Sequence, residues 1–174
     1  YPKRIAGLSA SSPVFADLDG SGGQELIVAS SDGEVHAYTS GGAELPGWPV
    51  RTGVSPWWPS DSPTARAAGI PALRSAVMVG APAVADIDGN GSTDVVVTDL
   101  DGEIWAWSSS GTPLRGFGSG LGGGAGTAHI DPAYSQDDVA AQDERNRTKP
   151  GFLSSAALGQ LDDDPELEIV AAAM

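Results

Sequence analysis

Short apolar runs, separated by clusters of Gly, Asp and Ser, follow one another along most of this chain. Near the start, residues 13–16, 25–30, 35–38 and 45–50 have the length and the β-branched and aromatic content of strands. The run 25–30 is almost entirely apolar, which is typical of a strand buried on both faces. The run 45–50 contains prolines, which lack a ladder donor, so we expect it at a sheet edge. Short turns join these runs, and the pattern therefore predicts four consecutive antiparallel strands.

The same pattern returns later in the chain. The segment Pro13-Val-Phe-Ala-Asp-Leu-Asp-Gly-Ser-Gly matches Pro82-Ala-Val-Ala-Asp-Ile-Asp-Gly-Asn-Gly with a shift of 69 residues, and the match continues without a gap to Trp48. A third, partial copy begins near Ser154 with a shift of 143 residues from the first. Four antiparallel strands in roughly forty residues, repeated in this way, are typical of β-propeller blades. We therefore predict an all-β fold made of four-stranded blades.

The repeat also divides the chain. Residues 1–7 resemble residues 48–53, the end of the first copy, so we expect the chain to be a fragment of a larger propeller. The predicted divisions are the last strand of a preceding blade (1–7), a blade (8–53), an inserted loop (54–80), a second blade (81–118), a Gly-rich insertion (119–151) and the start of a truncated blade (152–174). We expect short helices near Ser62 and Asp131 in the insertions. Trp57 and Trp58 form either a platform for a ligand or a cover for the propeller core.

Charge and composition narrow the function further. The chain has 9 Lys and Arg against 23 Asp and Glu, a formal net charge of −14. Such a balance argues against nucleic acid and anionic membrane as partners, because both require a basic face. No apolar run approaches the length of a membrane-spanning helix, and the absence of Cys excludes a disulfide scaffold and thiolate metal sites. Eleven of the 23 acidic residues lie in three short loops, so the charge is concentrated.

Those three loops predict metal sites. Loop 1 (residues 17–25) and loop 2 (residues 86–94) place oxygen-bearing side chains at relative positions 1, 3, 5 and 9, a backbone carbonyl at position 7 and a Gly at position 6. The spacing matches the first nine positions of an EF-hand loop and favours Ca²⁺ over Mg²⁺. The candidate ligands of loop 1 are Asp17, Asp19, Ser21, Gly23 and Glu25, and those of loop 2 are Asp86, Asp88, Asn90, Ser92 and Asp94.

Loop 3 (residues 160–168) follows the spacing less closely. Gln160 stands at position 1, and Pro165 replaces the Gly of position 6. Its candidate ligands are Gln160, Asp162, Asp164, Glu166 and Glu168. We therefore predict two calcium sites and a weaker third candidate.

Taken together, these motifs resemble the FG-GAP/VCBS repeat family, which is similar to the propeller head of integrin α-chains. The resemblance rests on Pro-x-x-Ala-Asp-(Leu/Ile)-Asp-Gly-x-Gly, on Asp-Gly-Glu-(Val/Ile)-x-Ala-(Tyr/Trp) and on Gly-Trp-Pro. It implies a propeller, often with seven blades, that holds calcium between the first two strands of a blade. It also implies an extracellular, periplasmic or cell-surface location.

Three functions agree with these features. The first is a non-catalytic, calcium-stabilised module for binding or assembly, whose partner is a protein, a carbohydrate or a subunit of a surface complex, and which requires further blades. The second is a fragment of a secreted propeller enzyme such as a quinoprotein, a peptidase or a polysaccharide lyase, since residues 32–38 also resemble a quinoprotein blade motif. The third is a subunit of a large filament, with the insertions as contact loops. The acidic loops favour the first.

Overall fold

The fold was analysed in a computed structural model, which describes residues 4–5, 7, 11–53, 78, 80–100, 103–115 and 152–172. Within these ranges the chain contains strands and turns and no helix. None of the described segments is a helix long and apolar enough to cross a membrane. The helices expected near Ser62 and Asp131, and the pair Trp57 and Trp58, lie outside the described residues.

Nine strands form three antiparallel sheets in the described residues. Sheet 1 contains β1 (Val14–Ala16), β2 (Glu25–Ala29), β3 (Glu34–Tyr38) and β4 (Val50–Arg51) in that order. Sheet 2 contains β5 (Ala83–Ala85), β6 (Asp94–Thr98) and β7 (Ile104–Ser108), and sheet 3 contains β8 (Ala157–Gly159) and β9 (Glu168–Val170). The predicted all-β class with antiparallel pairing is therefore confirmed.

The first three strands of sheet 1 lie within one residue of their predicted bounds, but the fourth does not. We expected a strand over residues 45–50, whereas β4 covers only Val50–Arg51, preceded by an isolated bridge between Tyr38 and Glu44. Residues 46–47 form a turn instead, in which Gly47 has a φ of +89°. Pro46 and Pro49 cannot donate to a ladder, and this shortens the pairing with β3.

The sheets pack face to face, with sheet 2 between the other two. Its two faces enter different core clusters because successive side chains of a strand point to opposite sides. The first cluster joins Ile27, Ala29, Val35 and Ala37 of sheet 1 to Val95, Val97, Trp105 and Trp107 of sheet 2. The second joins Ala83, Val96 and Ala106 of sheet 2 to Leu158 and Ile169 of sheet 3.

This arrangement corrects one prediction about burial. We expected residues 25–30 to be buried on both faces, but β2 alternates between buried and half-buried positions, whereas β6 is buried throughout. The reason is position in the stack: β6 has a sheet on either side, while β2 has one on one side only among the described residues. The half-buried positions of β2 are Leu26 and Val28.

The repeat explains which face of sheet 1 lacks a covering sheet. In sheet 2, Val95 and Val97 face sheet 1, and their counterparts in sheet 1 are Leu26 and Val28. Phe15, the cross-strand partner of Leu26, lies on the same face and is 62% exposed. We call the face formed by these residues of sheet 1 the outer face. In the described part of the chain no sheet packs on it.

Candidate metal centres

Each acidic loop links the first two strands of its sheet and gathers three carboxylates. Within each group, one oxygen per residue lies within 4.8 Å of the others. The groups are Asp17, Asp19 and Glu25 in loop 1, Asp86, Asp88 and Asp94 in loop 2, and Asp162, Asp164 and Glu168 in loop 3. Each group contains carboxylate residues that the spacing assigned as ligands. Any of the three could therefore hold a metal ion.

Backbone N–H groups organise loops 1 and 2 in the same way. Gly22 N–H donates to Asp17 Oδ2 at 2.9 Å, and Gly91 N–H donates to Asp86 Oδ2 at 2.7 Å. Both glycines have positive φ values, +84° and +87°, which a residue with a Cβ adopts only with strain. Position 6 is therefore a Gly because the loop must turn its amide back toward the first carboxylate.

The three carboxylates of loop 1 differ in their exposure to solvent. Asp19 is exposed, and hydrogen bonds from the Ser21 hydroxyl and backbone N–H lower the pKa of its carboxyl. Glu25 is only 3% exposed and accepts the Leu18 N–H at 2.9 Å through Oε2. The Oδ1 atom of Asp17 is buried and has no hydrogen-bond partner. Loop 1 thus combines exposed and buried carboxylate oxygens directed at one point.

The carboxylate of Asp94 in loop 2 is fully buried, and this bears directly on whether the loop binds a cation. Asp94 is 0% exposed; its Oδ2 accepts the Ile87 N–H at 3.0 Å, whereas its Oδ1 is buried without a partner. Burial raises the pKa of Asp94, and the nearby carboxylates of Asp88 and Asp86 raise it further. A buried carboxylate oxygen without a donor is costly, and a cation held among the three carboxylates would supply the missing partner.

The ligand chemistry fits Ca²⁺. Loop 2 offers carboxylates, the Asn90 amide oxygen and the Ser92 carbonyl, which are the hard oxygen donors that Ca²⁺ takes in sets of six to eight. In the structure the Asn90 oxygen accepts the Ser92 N–H at 2.8 Å, so this side chain already points back into the loop.

Loop 3 is built differently, in the place where the sequence departs from the pattern. Its described residues contain no positive φ, because Pro165 and Asp163 stand where the other loops have glycines. The amide Nε2 of Gln160 donates to the backbone carbonyls of Asp164 and Glu166. The carbonyl that position 7 would offer to a cation is thus already engaged by an N–H donor. This difference gives a physical reason why the third candidate is the weaker one.

Sequence reasoning missed two hydrogen bonds between neighbouring loops, both donated by position 8. Thr93 Oγ1 of loop 2 donates to the Asp17 carbonyl of loop 1 at 3.1 Å. Leu167 N–H of loop 3 donates to the Ile87 carbonyl of loop 2 at 3.1 Å. Position 8 carries no ligand in the pattern, and only the stacking of the sheets reveals its role.

A second polar cluster lies on sheet 1. His36 is 6% exposed and stacks on Tyr38 with ring centroids 5.5 Å apart. Its Nδ1 lies 2.7 Å from Glu44 Oε1 and 3.0 Å from the Tyr38 hydroxyl. Burial, followed by Glu44 and Glu34, raises the pKa of Tyr38. The counterparts in sheet 2 are the stacked Trp105 and Trp107, which pack on sheet 1. Both tryptophans are buried in the first core cluster.

A scan against protein-family models finds no match to this chain, and a search of curated proteins finds none either. The resemblance to FG-GAP/VCBS repeats therefore depends on the motifs themselves.

Proposed function

We propose that this chain is a calcium-stabilised, non-catalytic segment of a β-propeller of the FG-GAP/VCBS type, used for binding or assembly in a secreted or cell-surface protein. Loops 1 and 2 are its calcium sites, and loop 3 binds more weakly. The observation that carries the proposal is the buried Oδ1 of Asp94, which lacks a partner inside a cluster of three carboxylates.

Calcium acts structurally in this proposal. Each loop holds like charges close together, so the empty loop is destabilised by repulsion, and a divalent cation reverses the sign of that interaction. Because the loop joins the first two strands of a sheet, an ion that binds only the folded loop stabilises the folded chain by RT ln(1 + [Ca²⁺]/Kd). At a free concentration of 100 times Kd this is about 2.7 kcal/mol per site.

The stacking of the sheets supports the propeller part of the proposal. Equivalent repeat positions point the same way in all three sheets: Val84 and Leu158, the counterparts of Phe15, both pack against the preceding sheet. The outer face of sheet 1 has this character without a described cover, and Phe15 is 62% exposed there. A preceding blade would complete the face, so further copies of the repeat are the first partners that we propose.

The metal loops also support an extracellular, periplasmic or surface location. Calcium modules outside the cell work at dissociation constants of about 10⁻⁴–10⁻³ M, which suits loops with several exposed ligands such as Asp19 and Asp88. In this setting the ligand is a protein, a carbohydrate or a neighbouring subunit of a surface complex. Neither nucleic acid nor membrane insertion has a part in the proposal.

The test is thermal unfolding of the chain in EDTA, in CaCl₂ and in MgCl₂. We expect calcium, and not magnesium, to raise the melting temperature. Asp88→Ala removes an exposed ligand and should reduce the calcium-dependent gain. Asp163→Asn is the matched control, because it removes an acidic charge at a position of loop 3 that is not a ligand. An identical melt in EDTA and CaCl₂ would refute the proposal.

A further inference from the structure

Hydrogen bonds connect the three acidic loops in a row, and in each bond the donor is position 8 of the later loop. Thr93 and Leu167 are both position 8, and each donates a hydrogen bond to the backbone of the preceding loop, at 3.1 Å in both cases. The acceptors are the carbonyls of Asp17 and Ile87, positions 1 and 2 of the preceding loops. The donor is a side-chain hydroxyl at Thr93 and a backbone N–H at Leu167, so the two bonds share the position of the donor and differ in its chemistry.

These contacts connect the candidate ligands themselves. Asp17 is a ligand of loop 1, and its carbonyl is held by Thr93, the residue that directly precedes the buried ligand Asp94. On the other side, Asp94 Oδ2 accepts the Ile87 N–H, and the Ile87 carbonyl accepts the Leu167 N–H. Leu167 in turn directly precedes Glu168 of loop 3. A shift of one ligand is thereby transmitted to the next loop through one or two hydrogen bonds.

We infer that the loops bind calcium as a coupled row, with Thr93 as the positioning residue that connects loop 1 to loop 2. This inference rests on the proposed function, since it requires that the loops bind calcium. Besides the grouped carboxylates, the row contains Asp94, which is 0% exposed and whose Oδ1 has no hydrogen-bond partner, so that a cation would supply the missing partner.

The sign of the coupling follows from ordering. An ion in loop 1 fixes Asp17, and the Thr93 hydroxyl bound to the Asp17 carbonyl then holds the backbone next to Asp94. Loop 2 is therefore partly ordered before its own ion arrives, and the second ion loses less conformational freedom. Such couplings typically change affinity by about fivefold or more. Coupling is reciprocal, so an ion in loop 2 also strengthens loop 1.

The hydrogen bond between loops 1 and 2 can be removed without substituting a candidate ligand. Thr93→Val keeps the side-chain volume and removes the hydroxyl, while Thr93→Ser keeps the hydroxyl. Gln24 occupies position 8 of loop 1, so Gln24→Val is the matched control at the equivalent position. At the other junction the donor is the backbone N–H of Leu167, which no such substitution removes.

The experiment follows two backbone amides by ¹⁵N NMR while CaCl₂ is added to the full chain. Gly22 N–H reports loop 1 and Gly91 N–H reports loop 2, because each donates to the first carboxylate of its own loop. The midpoint of the Gly91 shift is compared with and without Asp19→Asn, which weakens site 1. Each comparison is repeated in the Thr93→Val, Thr93→Ser and Gln24→Val backgrounds.

We expect Asp19→Asn to weaken binding at Gly91 about fivefold in the wild-type, Thr93→Ser and Gln24→Val backgrounds, and to have little effect in Thr93→Val. If Asp19→Asn leaves the CaCl₂ midpoint of the Gly91 shift unchanged in all four backgrounds, the proposed coupling is wrong, although calcium still binds. Equal weakening in the Thr93→Val background would assign the effect to through-space charge and would remove Thr93 from it. If neither amide responds to CaCl₂, the proposed function itself fails.

Discussion

The Asp94→Asn substitution separates two contributions to the free energy of unfolding. One is the cost of burying the Asp94 carboxylate without a metal ion, and the other is the stabilisation that a bound ion supplies. Asp94 is 0% exposed and its Oδ1 has no partner, so in the absence of metal its charge is buried and only Oδ2 is hydrogen-bonded, to the Ile87 N–H. Asn has the same shape, its oxygen can still accept the Ile87 N–H, and its amide N–H can donate to the carboxylates of Asp86 and Asp88. Those carboxylates lie within 4.8 Å of the Asp94 carboxylate.

The expected sizes follow from these contacts. Leaving a buried polar group unsatisfied costs about 1–3 kcal/mol, and more when it is charged, so in EDTA the variant should be more stable than the wild type by about 1–3 kcal/mol. For a chain of 174 residues, each 1 kcal/mol corresponds to about 2–4 °C in melting temperature. With calcium at 100 times Kd, the wild type regains about 2.7 kcal/mol at this site. The Asp94→Asn variant should not gain this stabilisation, so in CaCl₂ its stability exceeds that of the wild type by less, or falls below it.

Urea unfolding of the wild type and of Asp94→Asn measures the difference in their free energies of unfolding, once in EDTA and once in CaCl₂. Asp88→Asn is the matched control: Asp88 is exposed, so this variant should lose the calcium-dependent gain and should gain less stability in EDTA than Asp94→Asn, because it relieves charge repulsion but no buried, unpartnered oxygen. An Asp94→Asn protein that is less stable than the wild type in EDTA would contradict the reasoning, because it would show that the Asp94 carboxylate is satisfied without metal.

Three further predictions concern the sheet contacts and the loop turns, each measured by urea unfolding. Gly47→Ala should cost more than about 2 kcal/mol, because a Cβ there would lie 2.0 Å from the Ser110 carbonyl oxygen at a φ of +89°. Gly91→Ala, at a φ of +87° with no atom within 4 Å of the added Cβ, should cost only the strain of about 1–2 kcal/mol; equal costs at the two glycines would show that the Ser110 contact is unimportant. Trp105→Phe removes the Nε1–H that donates to Asp99 Oδ2 at 2.7 Å and should cost about 1.5–3 kcal/mol, whereas a cost no greater than that of Trp107→Phe would argue that this hydrogen bond adds nothing.

Periodicity was sufficient to predict the strands that lie in the middle of a sheet. The bounds of β2 and β3 agree with the predicted runs to within one residue, because these short apolar runs are bounded on both sides by turns that contain glycine. The fourth strand was misplaced because its residues pair with a single neighbour, and Pro46 and Pro49 interrupt that pairing. Edge pairing depends on partners that local sequence does not show.

At the metal loops, spacing identified the candidate ligands but could not show their contacts. The structure gathers three carboxylates within each loop, and it shows that Asp94 is fully buried, which spacing alone did not indicate. The engagement of the loop 3 carbonyls by Gln160 follows from a side-chain conformation, and the contact of Thr93 joins residues 76 positions apart. A spacing pattern within one repeat contains neither the conformation of a side chain nor a contact with the next repeat.

The most direct test of the central claim is a crystal structure grown in CaCl₂, with anomalous diffraction used to locate the ions. We predict anomalous peaks in loops 1 and 2, with the peak in loop 2 about 2.3–2.6 Å from carboxylate oxygens of Asp86, Asp88 and Asp94. In that structure Oδ1 of Asp94, which now has no partner, should contact the ion. A well-ordered loop 2 without an anomalous peak, at millimolar calcium, would contradict the claim that these loops are calcium sites.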